Sequence, residues 1–390
     1  MKRVILIMHN DLMHYPPMIS LIDILLDLGV NVTYIGGFTD SPTTQRFIDC
    51  GVKLIRLGYD PQGSFIDSMI CQYKYKRELS KRLKECVSSQ EDIVWYIYSK
   101  TANFVHEIIS KYRFIIHYYE FQTQFYPLKY RLLYPSYNQC EFVHKAKTVI
   151  HCEYNRAQIF KGINQLEKLP YVLPNKPYLK DDIVDTSMIP LDILSKINDI
   201  SKKIKNKKII LYQGIFNSSE RKLDEFCQAI SLLPEDFALL AMGQGDSSFE
   251  ELKRKYESDR VIFVPFIIPP YHLLVTEQAR IGVLSYSPVN STFNGVINPL
   301  YCAPNKIFEY SKFSVPMISN DIPGLKYIFD EFHCGKVVCS PFTPNQIKDT
   351  ILDITNKYLM YSEGALKYYE SVDIKKTIIK ILTDIENNVR

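Results

Sequence analysis

Short apolar runs alternate with amphipathic stretches along most of the chain. In the first half the runs fall at residues 4–8, 30–35, 52–57, 93–98, 114–119 and 148–152, rich in Val, Ile, Tyr and Phe as buried strands are. Between the first two, Met18, Leu21, Ile22, Leu25 and Leu26 recur at helical spacing over 18–28. A second series follows at 208–212, 237–242, 261–266, 281–286, 316–319 and 336–338. Strand and helix patterns in alternation predict βαβ units and parallel sheets, whose ligands bind at the carboxyl ends of the strands. Near the end, Ile374, Ile378, Ile381 and Ile385 predict one more amphipathic helix.

At 390 residues the chain is too long for one ordinary core and suits two α/β domains. Residues 1–175 read as the first domain and 208–365 as the second. Residues 176–207, proline-containing and then rich in lysine (Lys202, Lys203, Lys205, Lys207), read as the linker. Residues 366–390 read as a helix returning towards the first domain. A net charge of +4 gives no field of the strength nucleic acid needs, and no nucleic-acid-binding signature accompanies it. Nine cysteines without a Cys-x-x-Cys pair predict reduced, mostly buried thiols and a cytoplasmic protein. The histidines lack metal-ligand spacing, no Asp-x-Asp triplet occurs, and no apolar run approaches the ~18 residues of a membrane span. The apolar run at 4–8 is too short for the core of a signal peptide.

The chemistry concentrates in Asn298-Pro-Leu-Tyr-Cys-Ala-Pro-Asn-Lys-Ile-Phe-Glu-Tyr310. A Pro, Ser and Asn-rich loop is predicted up to Ala303, and Pro304 suits the first position of a helix. The open N–H groups of such a first turn favour phosphate. Lys306 and Glu309 share one helix face, a cation for a diphosphate beside a carboxylate for two sugar hydroxyls. The bland alternative makes Glu309 a complement to the helix dipole and Lys306 a solvated cation. Upstream, Gly214-Ile-Phe-Asn-Ser-Ser-Glu-Arg-Lys-Leu-Asp224 joins a strand to a helix and sets Arg221 and Lys222 at the helix start, where cations oppose the dipole unless an anion is bound. Gly243 and Gly245 end the next strand, as glycines commonly do.

In the first domain, the segment after the first strand (residues 9–17) has no glycine, so a dinucleotide-binding Gly-x-Gly-x-x-Gly is missing there. Its strand ends offer His9, Asn10, His14 and His117-Tyr-Tyr-Glu-Phe-Gln122 for an acceptor, although His117 also reads as a satisfied buried histidine. Two basic-aromatic stretches, 73–84 and 125–137, suit an anionic membrane surface; such stripes are also ordinary solvated helix faces.

Pro304-Asn-Lys-Ile-Phe-Glu-Tyr310, the strand-like Pro316-Met-Ile-Ser319, Asp321-Ile-Pro-Gly324 and Gly335-Lys-Val-Val338 together resemble the donor half of retaining glycosyltransferases of the GT-B fold, family 4 type. Residues 208–345 follow that pattern and the first half follows it more loosely. The resemblance implies two Rossmann-like domains facing each other across a cleft. The second would hold a nucleoside-diphosphate sugar and the first a saccharide or lipid-linked acceptor, with transfer to a hydroxyl with retention in polysaccharide or glycoconjugate assembly of the bacterial type. It implies no cofactor and no metal, and a place in the cytoplasm or at the inner membrane face.

Residue by residue, the resemblance sets Glu309 on the donor ribose and Arg221 on the diphosphate. Lys306 joins Arg221, while Gly214, Lys222, Gly243, Gly245, Pro304 and Asn305 line the nucleotide. The family's first motif Glu falls on Tyr301, the glycine five residues after the second on Ser314, and its strand-end His on Tyr119 beside Glu120. A sugar-nucleotide epimerase of the same fold, or a silent binding subunit, is the alternative reading.

Overall fold

The computed structural model describes residues 3–61, 64–123, 134, 136–178, 189–216, 220–245, 247–289 and 292–387. The chain divides into two compact units, Met1–Tyr178 with Asp373–Arg390, and Leu179–Val372. Each is a parallel sheet flanked by helices, which is the two-fold Rossmann-like organisation that the strand–helix alternation predicts.

The first unit has seven strands: β1 (Arg3–Asp11), β2 (Asn31–Gly37), β3 (Lys53–Arg56), β4 (Ile93–Ile97), β5 (Phe114–Tyr118), β6 (Thr148–His151) and β7 (Tyr171–Val172). They lie in the order β3-β2-β1-β4-β5-β6-β7, with β1 pairing in parallel to both β2 and β4. Every residue of β4 and β5 is buried, the mark of a parallel sheet covered on both faces. Trp95, Tyr96, Phe114, Tyr118, Phe142 and Phe160 fill the interior. The closing helix Ile374–Asn387 belongs to this unit and turns Ile374, Ile378, Ile381 and Ile385 inward. The Arg113 guanidinium donates to the Ile385 carbonyl and the Tyr171 hydroxyl to Asp384.

The second unit has six strands: β8 (Lys208–Phe216), β9 (Phe237–Gly245), β10 (Val261–Pro265), β11 (Ile281–Leu284), β12 (Met317–Asn320) and β13 (Gly335–Val338). Their order is β10-β9-β8-β11-β12-β13. Alternation along β8 feeds two cores, Ile209 and Leu211 into one and Ile210 and Tyr212 into the other.

Three features differ from the pattern-based expectation. The stretch read as linker contains the helix Leu191–Ile204, whose Ile193, Ile197, Ile200 and Ile204 pack into the second unit; Lys202 and Lys203 lie on its exposed side, and Lys205 and Lys207 follow its end. The loop expected before Ala303 contains the helix Phe293–Leu300, started by Thr292, whose side chain accepts from the Gly295 N–H at 3.0 Å. Its Gly295 and Pro299 argue against a helix by propensity, and Pro299 is nonetheless its one buried residue. Finally, β1 runs on through His9 and Asn10 to Asp11, so these two residues are strand rather than loop.

Candidate functional site

At the carboxyl end of β8 the chain passes Gln213 and Gly214, and the helix Asn305–Lys312 brings Lys306 and Glu309 alongside. The helix starts one residue later than predicted: Pro304 is its N-cap, extended at φ −73° and ψ 139°. Proline offers no capping side chain, so the first-turn N–H groups are left without a side-chain acceptor. Ile307, Phe308 and Tyr310 anchor the helix in the core. Tyr310 donates its hydroxyl to the Leu211 carbonyl at 2.9 Å and lies over Gly282, where any Cβ would collide with its ring. Ser314, two residues beyond the helix, has φ +56°, the left-handed conformation that glycine adopts most cheaply. The serine therefore occupies a glycine-type turn, and its carbonyl accepts from Ser362 Oγ at 2.7 Å.

Glu309 is buried and held on both oxygens. Gln213 Nε2 donates to Oε2 at 2.5 Å and His272 Nε2 lies 3.2 Å from Oε1. Thr276 in turn donates to Gln213 Oε1 at 2.7 Å, so Thr276, Gln213, Glu309 and His272 form one relay. Burial pushes the Glu309 carboxyl up, but His272, Gln213 and Lys306 together outweigh it and hold the group below its ordinary value. Glu309 is thus a fixed carboxylate, with lone pairs remaining for hydroxyl donors. Glu309 therefore interacts with side chains from other elements, beyond the dipole of its own helix. Gln213, His272 and Thr276 escaped the sequence reading, since isolated Gln, His and Thr carry no spacing signal; only the fold brings them to Glu309.

Lys306 Nζ sits 4.2 Å from the centroid of Tyr212 and 5.6 Å from that of Tyr286. A Cβ on Gly214 would meet it at 3.3 Å, and Gly214 itself has φ +127°, so the glycine makes room for the ammonium. Burial, with help from the charge of Arg221, pushes Lys306 down to about 7 despite the opposing pull of Glu309. The Arg221 guanidinium stacks on the other flank of the site, 4.1 Å from the Tyr286 centroid. Its neighbour Glu220 lies 3.4 Å from Nη1, yet that nitrogen is buried without a hydrogen bond. Tyr286 is fixed by Asn320, whose side chain accepts from the Tyr286 N–H at 2.9 Å and donates to its carbonyl at 2.5 Å. Two cations thus gather at one ring, Arg221 paired to Glu220 at 3.4 Å and Lys306 drawn only electrostatically to Glu309.

The other predicted donor-side residues sort differently. Lys222 is exposed, and it is its carbonyl that is used, accepting from Ser285 Oγ at 2.9 Å. Arg221 and Lys222 stand immediately before the N-cap Leu223 of the helix Asp224–Ile230, and Asp224 and Glu225 in its first turn supply the charges that its dipole favours. Gly243 is paired with Gly214, and a Cβ on it would strike the Gly214 carbonyl at 1.8 Å. Gly245 makes the same allowance for Phe216 and Phe249. These two glycines let strands and helix approach. Tyr301 ends the helix Phe293–Leu300, its backbone against Gly324. Asn305 is the first residue of the next helix and is partly exposed.

The first unit gathers its candidates at the carboxyl ends of β1 and β5. His9 is partly buried, and desolvation, then the charge of Lys100, pushes it down to about 4. Asn10 donates to the Tyr15 hydroxyl, and the Tyr15 ring stacks on Tyr119 at 6.1 Å. Tyr119 is partly buried with its hydroxyl enclosed and unpartnered, and Glu120 is exposed beside it. His14 is exposed in the turn Leu12–His14. His117 faces inward: only 2% exposed, it accepts from Trp95 Nε1 at 3.4 Å, and burial pushes it down to about 3. It is buried as the blander reading has it, but only half satisfied, because its Nε2 is enclosed without a hydrogen-bond partner.

Among the described residues no cluster of three or more His, Cys, Asp or Glu could hold a metal ion, and no helix is long and apolar enough to cross a membrane. All nine cysteines are free, and five are buried.

Residues 207–357 match the family of glycosyl transferases group 1. No curated protein matches the chain by sequence. Solved structures resemble it over almost the full length of both chains, at identities that speak for the fold alone. Anabaena HepE, solved with UDP and glucose, superposes with a TM-score of 0.66 at 11% identity over 99% of this chain and 100% of its own. Sucrose-phosphate synthase from Thermosynechococcus elongatus gives 0.67 at 14% identity, covering 100% of both chains. WaaG, a glycosyltransferase involved in lipopolysaccharide biosynthesis, gives 0.60 at 15% identity over 98% of this chain and 99% of its own.

Proposed function

With residues 207–357 matching the glycosyl transferases group 1 and both units following the GT-B plan, we propose that this protein transfers a hexose from a nucleoside-diphosphate sugar to an acceptor hydroxyl with retention. The observation that carries this reading is the pair Arg221 and Lys306 gathered at the ring of Tyr286, next to a fixed carboxylate. Lys306 is a cation held at a cost, and a bound diphosphate supplies the missing counter-charge. As the glycosidic bond breaks, negative charge gathers on the leaving diphosphate. Arg221, Lys306 and the uncapped N–H groups of the helix Asn305–Lys312 stabilise that charge more strongly than the ground state. Glu309 receives the ribose hydroxyls, with His272 and Gln213 keeping it ionised and oriented. No protein nucleophile is assigned.

The acceptor falls to the first unit, to His9, Tyr119 and Glu120, with the exposed His14 at its edge; a saccharide or lipid-linked hydroxyl fits an imidazole kept neutral and stacked tyrosines beside one exposed carboxylate. No metal or cofactor takes part, since the two cations stand where a metal would bind the diphosphate.

A thermal-shift panel of nucleoside-diphosphate sugars, beginning with uridine donors, tests the reading. The expected result is stabilisation by one donor class that persists in EDTA, followed by turnover of that donor. Binding without transfer or donor hydrolysis makes the chain a silent subunit, release of the free 2-epimerised sugar makes it an epimerase, and loss of activity in EDTA with rescue by Mn²⁺ removes the metal-free mechanism.

A further inference from the structure

The helix Phe65–Cys86 of the first unit has two unlike halves. Its second half is anchored: Tyr75, Leu79, Leu83 and Cys86 are buried at i, i+4, i+8 and i+11, and Tyr75 packs edge-on against Tyr59 and Phe104 with centroids 5.7 and 6.1 Å apart. Its first half projects apolar side chains into solvent. Phe65 is 54% exposed, Ile66 67%, Met69 54%, Ile70 47% and Tyr73 68%. The spacing i, i+1, i+4, i+5, i+8 puts all five on one face over two turns and more. Other exposed apolar side chains are scattered over several elements, whereas these five form one continuous stripe.

The stripe runs into positive charge. Lys74, Arg77, Lys81 and Lys84 are all exposed, and among the described residues none makes an ion pair. Arg77, Lys81 and Lys84 continue the direction of Ile66 and Ile70 at helical spacing. The acidic residues of the helix are directed elsewhere: Glu78 and Glu85 are engaged by Arg82 at 2.7 and 3.1 Å, and Asp67 closes the capping box with Ser64. Lys76, the remaining base, pairs with Glu107 at 3.4 Å. The outward face therefore carries apolar side chains followed by unpaired cations, on a helix whose inner face is locked to the sheet.

A second copy of this chain would bring the same four cations against themselves, and an ordinary protein surface offers no continuous anionic plane. We propose that the outward face of Phe65–Cys86 docks on an anionic lipid surface. Phe65, Ile66, Met69, Ile70 and Tyr73 enter the boundary between headgroups and acyl chains, while Lys74, Arg77, Lys81 and Lys84 lie at the phosphates. This docking stands apart from the proposed donor chemistry, since no residue of the helix belongs to that site.

The test is sedimentation of the full-length protein with vesicles of phosphatidylcholine alone and of phosphatidylcholine mixed with phosphatidylglycerol, at low and high salt. Binding to the mixed vesicles, weakened by salt, is expected. Exchanging Ile66→Ser together with Ile70→Ser should abolish it, and each of Lys74→Gln, Arg77→Gln, Lys81→Gln or Lys84→Gln should lower partitioning roughly fivefold. Circular dichroism and donor-induced thermal shift should be unchanged in these variants, because every exchanged side chain is exposed. No binding to mixed vesicles, equal binding to neutral ones, or a concentration-dependent dimer that the Ile66→Ser, Ile70→Ser variant dissolves would overturn the proposal.

Discussion

The strand ends of the two units solve opposite electrostatic problems on the same topology. At the end of β8 the second unit keeps charges in a confined place: Glu309 is ionised between Gln213 and His272, and Lys306 and Arg221 crowd the ring of Tyr286. At the ends of β1 and β5 the first unit leaves its carboxylate Glu120 exposed and encloses imidazoles and phenols instead. His9 and His117 are pushed down by burial, and tyrosines face one another. A site that retains costly charge is organised for an ionic ligand, and one that suppresses charge is organised for a polar but uncharged one. The two sheets share one topology, so what separates their strand ends is where charge is buried.

The largest expected effect breaks the charged side of this contrast. Arg221→Ala combined with Lys306→Ala should lower turnover at saturating acceptor by about a hundredfold or more, the scale on which fixed transition-state donors act. Lys222→Ala serves as the control, because its side chain is exposed and only its carbonyl is used. Steady-state kinetics on both variants decides; turnover within twofold of wild type in the double variant would move the diphosphate elsewhere. Next in size, Glu309→Ala should weaken donor binding by about 1 to 3 kcal/mol, as the loss of a charge-assisted hydrogen bond does. It also strands the Gln213 amide and His272, so some loss of thermal stability should accompany it. His272→Ala should reproduce part of the affinity loss by releasing one carboxylate oxygen. Calorimetry with the nucleotide sugar measures both, and unchanged affinity in a folded Glu309→Ala protein would remove the ribose role.

Much of this contrast was legible before the structure. Twelve of the thirteen strands coincide with apolar runs, and the two-residue β7 (Tyr171–Val172) was too short to produce one. Lys306, Glu309 and Arg221 stand out in the sequence because a helix start and a strand-to-helix loop give local signals, and the structure brings Lys306 near both Glu309 and Arg221. Gln213, His272 and Thr276 were invisible, because their role depends on contacts such as Gln213 to Glu309, 96 residues apart. The fate of His117 was undecidable for a related reason: strand alternation assigns a side chain to a face but does not say which face meets Trp95. The helix Phe293–Leu300 was not legible because Gly295 and Pro299 argue against a helix by propensity. The stretch 125–137 falls largely outside the described residues.

A smaller effect sharpens the contrast through pH. In the ligand-free protein Lys306 releases its proton near pH 7, whereas in the unfolded chain it holds it to about 10.4. Between these values the unfolded state binds the extra proton, so the contribution of this group to stability rises with pH across that window. A diphosphate favours the charged form, so binding above pH 7 should take up a proton. Affinity for a nucleoside-diphosphate sugar should fall with pH by up to about tenfold per unit. Calorimetry in buffers of different ionisation enthalpy reads the proton directly. Lys306→Met should remove both the uptake and the slope, and an unchanged slope would assign it to another group.

The smallest effect concerns the neutral side and separates a structural histidine from a chemical one. His117 is depressed to about 3 and His9 to about 4, while an unfolded imidazole takes its proton near 6.5. Below pH 6.5 the unfolded chain therefore binds protons that the folded first unit refuses, and stability declines as pH falls from 6.5 towards 4. Exchanging His117→Gln keeps an acceptor within reach of Trp95 Nε1 but has nothing to protonate. The urea midpoint of that variant should fall less between pH 7 and pH 5 than that of wild type. Its catalytic pH profile should keep its shape, since a histidine already neutral throughout that range contributes no limb. If the acidic limb of the profile vanishes with His117 instead, the imidazole titrates during turnover, and the first unit supplies an acid–base group where its burial indicates only a spacer.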